Sequence, residues 1–247
     1  MDPLHQFHIQ PIVNVVVGHT DVSFSNSALS MMIVVVSVYS LMIMGMRSRS
    51  LVPGRLQSLA EIFYEFISNM VRDNAGHDAR PFFPFVFTLF MFILFGNLLG
   101  MIPGAFTFTS HIVVTFFMAI FVFTMVTLLA LVKHGLKFFT FFMPHGVPIW
   151  MAPLLVPIEI VSYLSRPISL SVRLFANMMA GHTMLKVFAG FTIMMISGMG
   201  ALGFVPGAIP VIINVALIGF EIMVALLQAY VFTILTCLYI KDALELH

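Results

Sequence analysis

PLLVPIEIVSYLSRPISLSVRLFANMMAGH, residues 153 to 182, sets one acid, two arginines and a histidine into a run of aliphatic, aromatic and small side chains. At 3.6 residues per turn, Glu159, Ser162, Arg166, Ser169, Arg173, Asn177 and Gly181 fall three or four apart and share one face for about six turns. The other faces are apolar, which is the pattern of a helix immersed in lipid with a single polar stripe. A charge in hydrocarbon costs at least about 2.5 to 3.5 kcal/mol, so such residues face a partner, a water-filled cavity or an ion path. Snorkelling suits helix ends, and Arg173 lies about two turns beyond Arg166.

Composition extends that reading to the whole chain. Apolar residues make up 60% and charged residues 9%, with a mean hydropathy of +1.07, whereas soluble domains carry roughly 25% charged residues. The 247 residues suffice for about five or six spans of about 20 residues each and leave no room for a soluble catalytic domain. A net charge of +1 gives no sign of nucleic-acid binding, and the lone Cys237 excludes an intrachain disulfide and a thiolate metal site. The opening MDPLHQFHIQPIV lacks the basic flank of a signal peptide, and no small-residue cleavage pattern follows. The first apolar segment is therefore expected to be retained.

The expected fold is an all-α integral membrane protein, a single membrane domain over residues 1–247 with about five membrane-embedded helices and one amphipathic interfacial helix. Residues 28–46 form the first span, ending at Arg47, Arg49 and Arg55. In 56–73, Leu56, Leu59, Ile62, Phe63, Phe66, Ile67 and Met70 recur at helical spacing with Glu61, Glu65, Arg72 and Asp73 between them, which predicts the interfacial helix. Spans at 82–102 and 112–132 flank the uncharged turn PGAFTFTS, and the second of them returns to Lys133 and Lys137. The apolar stretch 138–197, interrupted by Pro144, Pro148, Pro153 and Pro157 and later by Pro167, is too long for one perpendicular crossing. It is expected to be a long tilted helix that turns at the glycine-rich SGMGALGFVPG and pairs antiparallel with a last helix over 208–240. With Arg47, Arg49, Arg55, Lys133, Lys137 and Lys241 on one side, the N-terminus lies outside and the C-terminus inside. GMGALG also fits a dinucleotide fingerprint, but that motif needs a preceding strand in a βαβ unit, and its flanks here are membrane helices.

In the last helix Asn214, Glu221 and Gln228 are seven apart and share a face. Two antiparallel helices that turn near residue 200 and rise equally per residue bring Arg173 level with Gln228, His182 near Glu221, and Glu159 level with Asp242. Imidazole exchanges protons near neutral pH, so His182 with Glu221 fits an intramembrane proton relay; a purely structural hydrogen-bonded pair is the alternative. Glu221 lies roughly two turns from the level of Arg173, so the arginine's carboxylate partner is expected on another subunit. Asn177 and Gln228 fit either polar neighbours of that site or interhelical glue, and Glu159 either a channel acid or an interfacial one. Ser169, Asn214, Asn97 and Asp242 are further candidates for lining a path. A secondary transporter with broken helices would show an internal repeat, and no second copy of the polar stripe is present. A respiratory-complex anchor would need haem histidines, and no two of His111, His134 and His145 are spaced as a same-helix pair.

The stretches PLLVPIEIVSYLSRPISLSVRLFANMMAGH and GFEIMVALLQAYVFTILTCLYI, with NLLGMIP at 97–103, resemble the subunit a family of F-type ATP synthases over essentially the whole chain. The resemblance implies a proton-translocating stator subunit without an active site, cofactor or metal of its own. It implies as partners a ring of c subunits whose carboxylate faces Arg173, b-type peripheral stalk subunits and lipid, in an energy-transducing membrane, the bacterial inner membrane above the mitochondrial one. By resemblance Arg173 is the essential arginine, Asn177 and Gln228 are its polar neighbours, and Glu159 is an inner half-channel acid. His182 and Glu221 become the outer half-channel pair. The acid and the histidine stand on the helices in the order of mitochondrial-type or alphaproteobacterial members, and Gly100 replaces an acid of some bacterial relatives.

Overall fold

The computed structural model describes residues 7–14, 16–17, 20–21, 23–47, 52–102, 104–135, 138 and 151–245. Arg49, Lys137, Pro144, His145, Pro148 and Pro103 lie outside the described residues. Among the described residues six α-helices follow four very short strands: α1 Asn26–Arg47, α2 Arg55–Ala75, α3 Phe83–Gly100, α4 Ile112–His134, α5 Ala152–Met199 and α6 Phe204–Leu244. Among the described residues five helical segments are long and apolar enough to cross a bilayer, all but α2 contributing. The 48 residues of α5 rise about 72 Å at 1.5 Å each, against a hydrocarbon core of about 30 Å. Such a helix fits within a membrane only when strongly tilted. Pro157 and Pro167 stand inside it without ending it. Each removes one N–H from the backbone ladder, a loss that membrane helices tolerate where neighbouring side chains and helices take up the freed carbonyls.

The chain divides into two compact units. The first comprises Met1–Val38, Phe92–His111 and Leu174–Ala229. At its start β1 (Pro11–Val13) pairs antiparallel with β4 (Phe24–Ser25), and β2 (Val16–Val17) with β3 (Thr20–Asp21). An all-helical reading does not contain these pairs, which arise where β-branched residues cluster around 12–17. Asn26 fastens them to α1: its Oδ1 accepts from the backbone N–H of Gln10 at 3.2 Å and of Ser27 at 2.9 Å, and its Nδ2 donates to the His8 carbonyl at 3.1 Å. The core contains Val34, Ile93, Leu94, Phe108, Leu174, Met178, Ala225 and Ala229, all buried. α5 ends at Met199, Gly200 takes φ of 57°, and a short 3₁₀ turn Gly200–Gly203 leads into α6. That left-handed φ is the usual way a helix is closed by glycine.

The second unit comprises Tyr39–Met91, Ile112–Arg173 and Tyr230–His247. Here the amphipathic α2 divides its apolar stripe. Ile67 and Met70 are buried, whereas Leu56, Leu59 and Ile62 stay exposed. Its aromatic residues meet those of α3 and α6: Phe66 lies 5.8 Å from Phe90 and 6.0 Å from Tyr230, and Tyr64 lies 4.9 Å from Phe83. α4 buries Thr115, Ala119, Val122, Val126 and Ala130, a mostly small-residue face at helical spacing. Small faces let membrane helices approach closely and bond across. Thr115 Oγ1 accordingly lies 3.3 Å from Ser171 Oγ, and Thr127 Oγ1 2.7 Å from the Tyr163 hydroxyl.

Candidate functional site

In the first unit the polar positions of α6 each meet α5. Asn214 Nδ2 donates to the Leu185 carbonyl at 3.1 Å. His182 Nδ1 lies 3.5 Å from Glu221 Oε1. Asn177 Nδ2 donates to Gln228 Oε1 at 2.9 Å. These three levels follow from the seven-residue spacing on α6, since every seventh residue returns to nearly the same face two turns on. Gln228, expected level with Arg173, thus bonds a residue one turn further along. From α3, the fully buried Asn97 donates through Nδ2 to the Ala225 carbonyl at 3.3 Å, so it ties α3 to α6.

Glu221 is 4% exposed, and neither of its carboxyl oxygens has a hydrogen-bond partner among the described residues. Its ionisable neighbour is His182. Gly181 makes the close approach possible, because a Cβ there would stand 2.5 Å from Glu221 Oε1 and 2.9 Å from Cδ. A protonatable side chain held this way can exchange its proton with the imidazole and with water rather than locking it in a fixed bond. Two contacts of His182 were not legible beforehand. Its Nε2 lies 3.1 Å from Thr107 Oγ1, which is also 2.8 Å from the Gly100 carbonyl, and the ring of Phe7 stands edge-on at 6.3 Å. Thr107 belongs to a turn whose only sequence signal was its lack of charge, and Phe7 to a segment with no helical period.

In the second unit the polar stripe is the less buried face of α5. Ser162, Ser169 and Arg173 are exposed, and Glu159 and Arg166 are half-buried, while Tyr163, Pro167, Leu170 and Ser171 hold the buried face. Arg173 makes no hydrogen bond or ion pair among the described residues. Arg166 behaves differently. Its Nη1 donates to Asp242 Oδ2 at 3.1 Å, and its guanidinium stands 5.3 Å from the Tyr163 ring centre and 5.0 Å from that of Tyr239. Asp242, a candidate for lining a path, is therefore engaged by Arg166. That pairing had no warning in the stripe, where both arginines occupy equivalent helical positions.

Comparison with known proteins gives a consistent picture. The family model described as ATP synthase A chain matches residues 28–241. The chain is similar to the ATP synthase subunit a of Parvibaculum lavamentivorans, 59% identical over 99% of this chain and 94% of that one. It is also similar to that of Acidiphilium cryptum, 58% identical over 92% and 90% of the two chains. The Paramagnetospirillum magneticum subunit is 51% identical over 100% and 99%. These relatives are alphaproteobacterial, in keeping with the order of the acid and the histidine on the two long helices.

Proposed function

This chain belongs to the ATP synthase A chain family, and from that premise we propose that it is the stator of a rotary proton motor, carrying two offset half-channels that load and unload a carboxylate on a passing ring of c subunits. As a family member it is a multi-pass protein of an energy-transducing membrane. The orientation proposed is N-terminus outside and C-terminus inside, on the distribution of arginine and lysine. Transporter and respiratory-anchor readings have no support from the family.

A proton from the outer side passes His182 and Glu221 and neutralises the ring carboxylate, which then turns into lipid. After nearly a full rotation the carboxylate meets the inner path, loses its proton toward Glu159 and returns ionised to Arg173. Ser169, with Asp242 held by Arg166, lies on the inner half of this scheme, while Asn177 and Gln228 form the polar wall beside the arginine. Asn97 and Asn214 brace the outer half. The guanidinium keeps its proton at all physiological pH, so it favours the ionised carboxylate and cannot itself relay protons between the paths. Each charge crossing 100 mV supplies about 2.3 kcal/mol. Peripheral stalk subunits of b type would hold the chain against the torque.

The observation that carries this reading is Arg173: a charge midway along a membrane helix, exposed on the outer face of its own chain and without an ion-pair partner among the described residues. In lipid that state is costly, so its mate is supplied by another chain. Arg173→Ala in inverted membrane vesicles should abolish proton-driven ATP synthesis while the subunit still assembles, as checked by immunoblot. Retained coupled synthesis would overturn the proposal.

A further inference from the structure

We propose that Thr107 is a positioning residue of the outer path, holding neutral His182 as its Nε2–H tautomer so that the Nδ1 lone pair faces Glu221. The inference rests on the relay role proposed above for His182 and Glu221, and it follows from counting protons around one hydroxyl.

Thr107 Oγ1 has a single proton and, among the described residues, two hydrogen-bond neighbours, the Gly100 carbonyl at 2.8 Å and His182 Nε2 at 3.1 Å. A carbonyl only accepts. If the hydroxyl proton pointed at Nε2, two oxygens would face each other at hydrogen-bond distance with no proton between them. The proton therefore lies on the Gly100 side, Thr107 Oγ1 is the acceptor, and Nε2 carries the hydrogen. Thr107 is itself held in place. It is 5% exposed, and its own carbonyl accepts from Ser110 Oγ at 2.6 Å and from the Ser110 backbone N–H at 3.2 Å. Gly100 keeps the space open, because a Cβ there would stand 2.7 Å from Thr107 Cγ2 and 2.8 Å from Oγ1.

On the opposite edge of the ring, Nδ1 faces Glu221 Oε1 at 3.5 Å. Transfer then proceeds through Nδ1 alone. An excess proton arriving as hydronium bonds Nδ1 and leaves a water molecule, giving imidazolium; the Nδ1–H bond then breaks as an O–H bond forms on the Glu221 carboxylate, and the neutral Nε2–H imidazole returns. Thr107 closes the other side of the ring, since its one proton is committed to a carbonyl that cannot pass it on. The threonine acts as a stop rather than a link in the wire, and which ring nitrogen serves is set by the bond the other one makes.

The test uses the assembled membrane complex with ¹⁵N-labelled histidine, His182 being identified by difference against His182→Gln. At a pH where His182 is neutral, the wild type should show a protonated Nε2 and an unprotonated Nδ1. Thr107→Val, which keeps the shape and removes the hydroxyl, should mix or invert the tautomers and lower proton conduction on the order of tenfold, the usual scale for an orienting partner. Thr107→Ser should restore both. A wild-type Nδ1–H tautomer would overturn the inference even where a variant fails to assemble, as would unchanged tautomer and conduction in Thr107→Val. The tautomer is read without transport, so the two readings fail separately: normal conduction in His182→Gln would sink the relay and leave the tautomer assignment to the spectrum.

Discussion

Gly181→Ala separates what the Glu221 carboxyl contributes to stability from what it contributes to proton transfer. The added Cβ would stand 2.5 Å from Oε1, 2.9 Å from Cδ and 3.2 Å from Cγ. Ordinary contact begins near 3.4 Å, so the carboxyl end has to retreat by roughly 1 Å. The atoms that give way are the end of a flexible side chain, which puts the strain near the low end of about 1 to 3 kcal/mol. Alanine in place of a helical glycine returns about 1 kcal/mol. Folding and assembly should hence be near normal. Transfer is different, because a misplacement of about 1 Å in reacting groups costs on the order of a hundredfold in rate. The assay is potential-driven proton flux in inverted vesicles, normalised to subunit a by immunoblot. Gly190→Ala, on the same helix with nothing within 4 Å of its Cβ, is the control and should conduct as wild type. Conduction by Gly181→Ala within twofold of the control would refute the idea that the carboxyl must sit where it does.

Cysteines at 182 and 221 should cross-link under mild oxidant more readily than cysteines at 182 and 228, since His182 faces Glu221 while Gln228 bonds Asn177; a preference for the second pair, read on a gel, would contradict the register. Asp242→Asn should lower the melting temperature of the purified complex only slightly, because Asp242 is 45% exposed and such pairs contribute about 0 to 1 kcal/mol. Arg166→Ala should lower it further, since it also removes two cation–aromatic contacts of about 0.5 to 1 kcal/mol each. Equal shifts for the two variants would show that the rings beside Arg166 contribute nothing.

The parts of this molecule that follow from helical period were legible in the sequence, and the parts that depend on where a loop comes to rest were not. Asn214, Glu221 and Gln228 share a face by arithmetic, and two helices of equal rise leaving one turn must bring that face near His182. The offset of one turn at Gln228 was not legible. The 2.9 Å bond joins the ends of two amide side chains, whose reach along the helix axes residue numbers do not give. The Thr107 bond needs the turn between α3 and α4 to fold back on α5, a non-local contact that no local pattern announces. The Arg166–Asp242 pair shows the same limit from another side: Arg166 and Arg173 are alike in spacing, and only packing tells which one is paired within its own chain.

The spacing of the polar residues along α5 has an energetic consequence on the proposed reading. Arg173 and His182 are nine residues apart on one helix, about 13.5 Å of rise. With an effective dielectric of about 20, a unit charge at that separation interacts by roughly 1 kcal/mol, whereas a carboxylate brought to about 4 Å from the guanidinium gains about 4 kcal/mol. The difference of about 3 kcal/mol is more than a hundredfold in an ionisation equilibrium. On that reading Arg173 favours ionisation of a passing ring carboxylate more than a hundredfold while shifting the protonation of His182 or Glu221 only about fivefold. Had the arginine stood one turn from His182, its field would have favoured the Glu221 carboxylate and disfavoured imidazolium, holding protons back from the outer path.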